Sequence, residues 1–291
     1  MNQSLESAGK PAFDAVTLLP EHSQEALALS EAAGWNQSGD DWQVMLQHGS
    51  GVGRRTEDGR LVASIVTLQY GDVAWLAMLL TLQQFRGHGL GTALFVSALD
   101  AAHRSARVTA LDATELGLPI YRQHGFSPIM VLRRLELRTA PRLNVRPAIA
   151  GIQPIAPDGV ESAAELDAAV LGLDRRWLIR ALWQRKLNVM LTDAEDDSSL
   201  LLLRHGRAAY QLGPLYAGST AAAMRLTEAA LAVANGQPLF VDVSDQQTEY
   251  LNWLTSIGFR EQRPFTRMAD AQPALQGRRD LLFAMTGPEF G

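Results

Sequence analysis

The stretch that most constrains the fold of this chain is a glycine-rich turn between an apolar segment and an amphipathic one. The turn occupies residues 86–92, Arg-Gly-His-Gly-Leu-Gly-Thr, after the apolar run 73–82 and before the helical pattern of 92–104. Glycines let a backbone bend tightly and approach a ligand closely. A helix that begins at such a turn directs unpaired N–H groups and the positive end of its dipole towards it. This order of strand, turn and helix predicts a site where backbone amides hold a phosphate.

The composition is that of a globular protein large enough for two domains. The chain has 291 residues, 47% of them hydrophobic and 20% charged, and its net charge is −5. Its lysines and arginines are dispersed, which argues against a general nucleic-acid surface. The absence of cysteine excludes disulfides, zinc–thiolate sites and a cysteine nucleophile, and we expect no metal centre.

The sequence contains no segment typical of membrane insertion or export. No apolar run approaches the ~20 residues needed to cross a bilayer. Residues 1–11 are polar and lack the apolar core of a signal peptide. We therefore expect a cytoplasmic protein whose partners include neither a membrane nor a nucleic acid.

In the first half, periodicity and turn residues predict the order β-α-α-β-β-β-α-β-α-β. The Asp-Gly pair at 58–59 indicates a hairpin. The long apolar run 73–82 is typical of a strand buried on both faces. The predicted strands are 15–19, 50–56, 61–69, 73–82, 108–112 and 129–137, and the predicted helices are 21–33, 38–47, 92–104 and 117–124.

Two motifs in this half resemble those of the GNAT N-acetyltransferase family. Residues 86–91 match Arg/Gln-x-x-Gly-x-Gly/Ala, and residues 121–126 match Tyr-x-x-x-Gly-Phe at the end of the fourth helix. The turn is neither a P-loop nor the Gly-x-Gly-x-x-Gly of dinucleotide-binding folds. The resemblance covers residues 12–138 and implies the α/β (α+β) GNAT fold, a mixed sheet flanked by helices that binds acetyl-CoA.

The resemblance also implies which residues contact the cofactor. In the family, the pantetheine arm pairs with the strand before the turn through backbone hydrogen bonds. A strand amide, here that of Leu80 or a neighbour, polarises the thioester carbonyl, and Arg86 would orient the loop. The implied contacts are the strand residues Leu79, Leu80 and Thr81 and the turn residues Gly87, His88, Gly89, Leu90, Gly91 and Thr92. An Asn that is frequent after the fifth strand in the family is absent, and Thr114 is only a candidate for its contacts.

Direct acyl transfer needs a polarised carbonyl, a neutral amine and a proton for the leaving thiolate. Tyr121 is the candidate acid, with packing against the helix after the turn as its alternative role. Its unperturbed pKa of about 10 exceeds a thiol's roughly 8.5, so proton donation depends on proximity. No general base stands out; for Asp112 and Glu115 a surface or capping role is the alternative.

The segment 34–42, Gly-Trp-Asn-Gln-Ser-Gly-Asp-Asp-Trp, is the candidate for acceptor selection. It resembles a pattern seen in one group of tandem GNAT proteins, and we expect Trp35 and Asn36 to bind substrate. Two Trp and two Asp on one loop could hold a cationic amine. In the alternative, Trp35 and Trp42 pack the short helices against the sheet.

From its first helix onwards, the second half repeats the order of the first. The predicted helices are 158–170, 174–183, 220–234 and 248–257, and the predicted strands are 189–192, 199–204, 208–215, 238–243 and 260–268. Residues 115–126 and 248–259 are both twelve residues long and both end in Gly-Phe, which indicates an internal duplication. The second copy has one glycine in the turn 215–220, and Leu254 stands at the position of Tyr121. The resemblance implies a tandem GNAT protein: a catalytic copy (12–137), a linker (138–151) and a copy that lacks the cofactor signature (152–291).

Together these features predict an N-acetyltransferase that moves an acetyl group from acetyl-CoA to an amine. The alternative is a non-catalytic acyl-CoA-binding or regulatory protein. A small-molecule amine is the expected partner, and the sequence does not name it. Monomer and homodimer both stay open, because two halves packed together could mimic a homodimer of single-copy GNAT proteins.

Overall fold

The first half of the chain has the predicted elements in the predicted order. The structure is a computed structural model that describes residues 13–141, 149–271 and 277–291. The strands are β1 (Asp14–Leu18), β2 (Gly49–Arg55), β3 (Leu61–Tyr70), β4 (Val73–Thr81), β5 (Val108–Ala113) and β6 (Ser127–Leu137). The helices are α1 (Ser23–Ala32), α2 (Gly39–His48), α3 (Leu90–Ser105) and α4 (Leu118–Gln123).

The second half repeats this order and ends in one additional strand, β13; the sequence indicated neither β13 nor the first strand, β7. The strands are β7 (Ile152–Pro154), β8 (Val189–Asp193), β9 (Asp196–His205), β10 (Tyr210–Tyr216), β11 (Leu239–Ser244), β12 (Arg260–Ala269) and β13 (Leu282–Met285). The helices are α5 (Val160–Leu171), α6 (Arg176–Trp183), α7 (Thr220–Ala234) and α8 (Thr248–Ser256). Most of the predicted linker, residues 142–148, lies outside the described residues, as do residues 1–12.

All the strands of the described segments belong to one mixed sheet, ordered β1-β2-β3-β4-β5-β12-β6-β11-β13-β10-β9-β8-β7. The two copies exchange strands at its centre. Strand β12 of the second copy pairs with β5 of the first, and β6 of the first copy pairs with β11 of the second. Strands β6 and β12 also pair with each other. Each copy therefore completes its half of the sheet with a strand of the other.

Two buried ion pairs fasten the exchanged strands. Arg134 on β6 binds Asp242 on β11 through two hydrogen bonds of 2.7 Å. Arg267 on β12 binds Asp112 on β5 through two of 2.8 Å. The four side chains are at most 3% exposed. Because two-point arginine–carboxylate pairs are strong and directional, they fix the register of the exchange.

The duplication extends to an irregularity in the sheet. In the first copy Met78 and Leu79 of β4 lie opposite Ile65 of β3, since the register shifts between Ser64 and Val66. The same two-against-one bulge occurs in the second copy, between β10 and β9. A bulge bends its strand and re-aims side chains. Both copies therefore bend their central strand at the same place.

The hydrophobic core includes a cluster that both copies share. Trp42 and Trp75 of the first copy belong to the same buried cluster as Leu178 and Phe290 of the second. Within the described ranges, no helix is long and apolar enough to span a membrane.

The exchange predicts that the copies do not fold separately. Expressed alone, residues 1–141 would leave β5 and β6 without β12 and β11, and would bury Asp112 and Arg134 without their partners. Breaking such a buried pair costs about 3–5 kcal/mol, and an open sheet edge favours aggregation. We expect fragments 1–141 and 142–291 to be insoluble or oligomeric alone and to co-purify as a one-to-one complex when co-expressed. Size-exclusion chromatography with light scattering tests this, and a folded monomer of 1–141 would contradict it.

Candidate active site

The site begins where two neighbouring parallel strands part. Strands β4 and β5 pair only from Val73 to Trp75, opposite 108–110. Beyond Trp75 the β5-facing edge of β4 has no strand partner among the described residues, although its other edge stays paired with β3 up to Thr81. Met78 lies at this point and has a φ of 53°, a left-handed backbone conformation that is unfavourable for residues other than glycine. The bulge therefore holds the strands apart and opens a cleft of about 690 Å³.

The glycine turn forms one end of this cleft. Helix α3 begins at Leu90, and its N-cap residue, Gly89, has a φ of 76° and offers no side-chain cap to the first amides. Gly87 has a φ of 80°, and neither glycine has a neighbouring heavy atom within 4 Å of where a Cβ would stand. Helix-start amides without intrahelical partners, beside open space, suit an anion. Arg86 donates to the carbonyl of Thr81 at 3.2 Å and so ties the turn to β4.

The structure brings most of the predicted cofactor residues to this one cleft. It is lined by Leu79, Leu80, Thr81, Arg86, Gly87, Gly89, Leu90, Gly91 and Thr92. His88 does not line it: its Nδ1 lies 3.1 Å from the carbonyl oxygen of Arg86, and its ring packs against Phe13. The side chain of His88 therefore lies outside the lining of the cleft, while its amide belongs to the turn.

Tyr121 lies at the inner end of the cleft. Its ring packs against Phe95, with centroids 5.0 Å apart, and over Gly117, where an added Cβ would lie 2.6 Å from the ring. Its hydroxyl has no hydrogen-bond partner in the described part of the chain. Burial raises the pKa of Tyr121 to about 12. The side chain therefore keeps its proton at neutral pH, and its oxygen is free to face a ligand.

Behind Tyr121 the cleft continues into a smaller inner cavity of about 80 Å³. Five residues line both spaces and mark their junction: Trp35, Leu79, Thr114, Tyr121 and Arg263. The inner cavity is also lined by residues far apart in the sequence, namely Gln37, Asp112, Arg134, Phe265, Pro288 and Glu289. Strand β12 and the C-terminal tail of the second copy thus form part of a wall that sequence reasoning had assigned to the first copy alone.

Of the two predicted substrate residues, only Trp35 reaches the cavities. The amide of Asn36 instead binds the second copy: its oxygen accepts from the amides of Ala208 and Ala209, at 2.9 and 3.0 Å. Its nitrogen donates to the carbonyl of Ala209. Asn36 is only 4% exposed, so the structure places it in a contact between the copies.

Other residues of the same segment also have packing roles. Trp42 is fully buried, and its indole N–H donates to Ser30 at 3.0 Å. Burial acts to raise the pKa of the Asp41 carboxyl, but Arg204 and Arg185 hold it below its usual range. The alternative interpretation, in which the tryptophans pack the short helices against the sheet, therefore applies to Trp42, whereas Asp41 joins the segment to two arginines of the second copy.

The two candidate bases differ in their surroundings. A surface or capping role was the alternative for Asp112, and that is wrong: its side chain is buried and bound to Arg267. Glu115 is exposed and lines the mouth of the cleft. Within the described ranges, no group of His, Cys, Asp and Glu side chains could hold a metal ion.

The equivalent gap in the second copy is filled. Strands β10 and β11 pair only over Tyr210–Leu212 before they part, as β4 and β5 do. Strand β13 lies between them, with Ala284 opposite both Leu215 of β10 and Val243 of β11. A Cβ at Gly213 would collide with the carbonyl oxygen of Met285, so glycine is required for this approach. The chain's own C-terminal strand therefore occupies the place that is open in the first copy.

Comparison with known families agrees with this duplicated architecture. The model of the acetyltransferase (GNAT) family matches residues 19–126, and that of the acetyltransferase (GNAT) domain matches residues 163–284. The chain belongs to the GNAT acetyltransferase family, with two GNAT domains in tandem. It is an acyltransferase, and the alternative of a non-catalytic binding protein is not supported.

Individual relatives are distant in sequence. A holothin acyltransferase of Pseudoalteromonas sp. (strain SANK 73390) is 25% identical over 79% of this chain and 78% of that protein. The solved structure of a proposed acetyltransferase from Pyrococcus horikoshii matches with a TM-score of 0.80, at 17% identity over the whole of both chains. A tandem GNAT protein from the clavulanic acid biosynthesis pathway matches with a TM-score of 0.61, at 14% identity, over 89% of this chain and 98% of that one. These structures confirm the predicted fold class.

The glycine turn can be tested with a matched pair of substitutions. Gly89 and Gly59 both have positive φ, 76° and 83°, and both have open space at the Cβ position. Glutamate at either site carries the same backbone penalty of about 1 kcal/mol, but only Gly89→Glu places a carboxylate beside the amides of the turn. We expect Gly89→Glu to weaken acetyl-CoA binding at least tenfold in calorimetry and Gly59→Glu to leave it unchanged. Equal affinities in the two variants would show that the turn does not hold the cofactor.

Proposed function

We propose that this protein transfers the acetyl group of acetyl-CoA directly to the amine of a small molecule. The observation that carries the proposal is the gap between β4 and β5, which has the glycine turn at one end and Tyr121 at the other. In sequence, we assign the catalytic copy to residues 12–137, the linker to 138–151 and the second copy to 152–291.

The shape of the cleft supports a CoA thioester as donor. The unpaired edge of β4 along Leu79, Leu80 and Thr81 offers N–H and C=O groups to an extended ligand, as in strand addition. The positions of Leu80 and Thr81 correspond to those of Leu215 and Tyr216, which pair with β13 in the second copy. A gap of this geometry therefore accepts an extended chain. The amides at residues 87–92 would then hold the diphosphate.

Acetyl-CoA supplies the thioester carbonyl that the amine attacks. The Leu80 amide or a neighbour on β4 would donate to the carbonyl oxygen as it becomes negative. The Tyr121 hydroxyl holds the proton that the departing sulfur requires, and the ring packing against Phe95 fixes its direction. No covalent enzyme intermediate is needed, in agreement with the absence of cysteine.

The amine must arrive without its extra proton, and Glu115 is our candidate to accept it. The other carboxylates that line the two cavities, Asp112 and Glu289, are bound to Arg267 and Arg204. Glu115 has no arginine partner among the described residues, and it stands at the exposed mouth, where an amine enters.

Tyr121→Phe tests the proposal. We expect normal affinity for acetyl-CoA and a fall in kcat of about 10²- to 10⁴-fold, the range typical of a lost general acid. Because burial raises the pKa of Tyr121 to about 12, the wild-type rate should not decline up to about pH 10, where an unperturbed tyrosine would begin to lose its proton. Thiol release from acetyl-CoA across an amine library measures kcat and its dependence on pH.

The matched control is Tyr250→Phe on α8 of the second copy. Tyr250 is fully buried, and its hydroxyl lies 2.7 Å from that of Thr227. We expect this variant to lose some stability and to keep its turnover. If Tyr121→Phe turned over at the wild-type rate, Tyr121 would have a packing role only.

A further inference from the structure

Strand β12 brings one arginine of the second copy into the site of the first. Arg263 lines both the cofactor cleft and the inner cavity, beside Tyr121 and Trp35. It follows a bulge, because the register with β6 shifts between Glu261 and Arg263. A bulge next to a site re-aims the side chain that follows it. The strand exchange and this bulge together place Arg263 at the junction of the two spaces.

Arg263 is the unbalanced charge of this cavity. Within the described ranges it has no carboxylate partner, and its Nε is buried without a hydrogen-bond partner. The other charged side chains that line the inner cavity each have a partner of opposite charge: Asp112 with Arg267, Arg134 with Asp242, and Glu289 with Arg204. The lining pairs cancel, and one positive charge is left facing the cavity.

The neighbours of Arg263 do not compensate for this charge. Arg134 lies directly opposite it on β6, and the two guanidinium groups lie 5.0 Å from the same ring, that of Phe265. Burial and the charge of Arg134 lower the pKa of Arg263, and the opposing effect of the Asp242 carboxylate is smaller. By contrast, carboxylate partners raise the pKa of Arg134 and Arg204 despite burial. Since arginine stays protonated in proteins, the site holds an uncompensated positive charge that favours the binding of an anion.

A second unsatisfied group faces the same cavity. Gln37 is 2% exposed, and its Nε2 donates to Glu289 at 2.9 Å. Its Oε1 is buried and has no hydrogen-bond partner. Because that donation to a carboxylate fixes which end of the amide is nitrogen, Oε1 is the atom left for a ligand's N–H or O–H group.

We propose that the acceptor is a small amine that also carries a carboxylate, with the carboxylate bound by Arg263 and a donor group bound by Gln37 Oε1. This deepens the proposed function and rests on it. Arg263 lies at the junction of the two spaces, and none of the glycine-turn residues lines the inner cavity that it also faces. We therefore assign its charge to the acceptor; an effect of Arg263→Gln on acetyl-CoA alone would instead indicate a contact with the cofactor. The volume of about 80 Å³ suits a small group such as a carboxylate.

The test uses amines that differ only in carrying a carboxylate or its primary amide: glycine, β-alanine and phenylalanine against glycinamide, β-alaninamide and phenylalaninamide. Each is assayed with wild type, Arg263→Gln and Arg263→Lys. We expect Arg263→Gln to lower kcat/KM for the carboxylates by roughly 10- to 100-fold, the loss typical of a hydrogen bond to a charged group. It should leave the amides and the KM for acetyl-CoA unchanged, and Arg263→Lys should restore part of the loss.

Arg133→Gln is the matched control, because it removes one positive charge from the same pair of strands. Arg133 lies on β6, opposite Pro264 of β12. Its side chain is 49% exposed and does not line either cavity. We expect it to affect both members of each pair equally. An equal loss for carboxylates and amides in Arg263→Gln, or a raised KM for acetyl-CoA alone, would overturn the proposal.

A calorimetric arm separates this inference from the proposed function. If wild type binds acetyl-CoA but acetylates none of the six amines, the same carboxylates are titrated into the CoA-loaded protein. Binding that Arg263→Gln abolishes and Arg133→Gln retains would support the anion site while the transferase proposal fails for these amines. Absence of Arg263-dependent binding would overturn the anion site as well.

Discussion

The structure depends on the early separation of two parallel strands. Strands β4 and β5 pair at three residue positions and then separate towards the bulge that contains Met78. Polar backbone groups on a largely buried strand need partners, so the gap calls for an extended occupant. In the second copy the chain supplies that occupant itself, as β13. In the first copy the described residues leave the edge open beside the glycine turn. This difference distinguishes the two copies more clearly than the loss of individual motif residues does.

The strand exchange explains why the second copy belongs to the catalytic unit although its own gap is closed. Strand β12 contributes Arg263 and Phe265 to the inner cavity, and the tail contributes Pro288 and Glu289. The tail is held by Arg175, which is fully buried, bound to Asp167 and also donates to the carbonyl of Phe290 at 2.9 Å. The second copy thus serves as scaffold and forms part of the wall of the inner cavity.

The sequence predicted what depends on local patterns. Helix α7 falls on the predicted residues 220–234, and most of the turn residues expected to contact the cofactor line one cleft. The exchange of β6 and β12 was missed because strand partners are a long-range choice that alternation of apolar residues does not encode. Strand β13 was missed because a four-residue apolar run has no distinctive period.

The sequence predicted the site residues less well. Asn36 was expected to bind substrate, but its partner is the backbone at 208–209, and the sequence gives no sign of a contact between positions so far apart. Arg263 could not be identified from the sequence, because what distinguishes it is that no carboxylate of the described residues pairs with it.

A crystal structure of the protein with acetyl-CoA tests the central claim most directly. The account expects one acetyl-CoA per chain, with main-chain hydrogen bonds between its pantetheine arm and residues 79–81, its diphosphate on the amides of residues 87–92, and β13 in place in the second copy. A cofactor bound elsewhere, or a second molecule that displaces β13 from between β10 and β11, would contradict it.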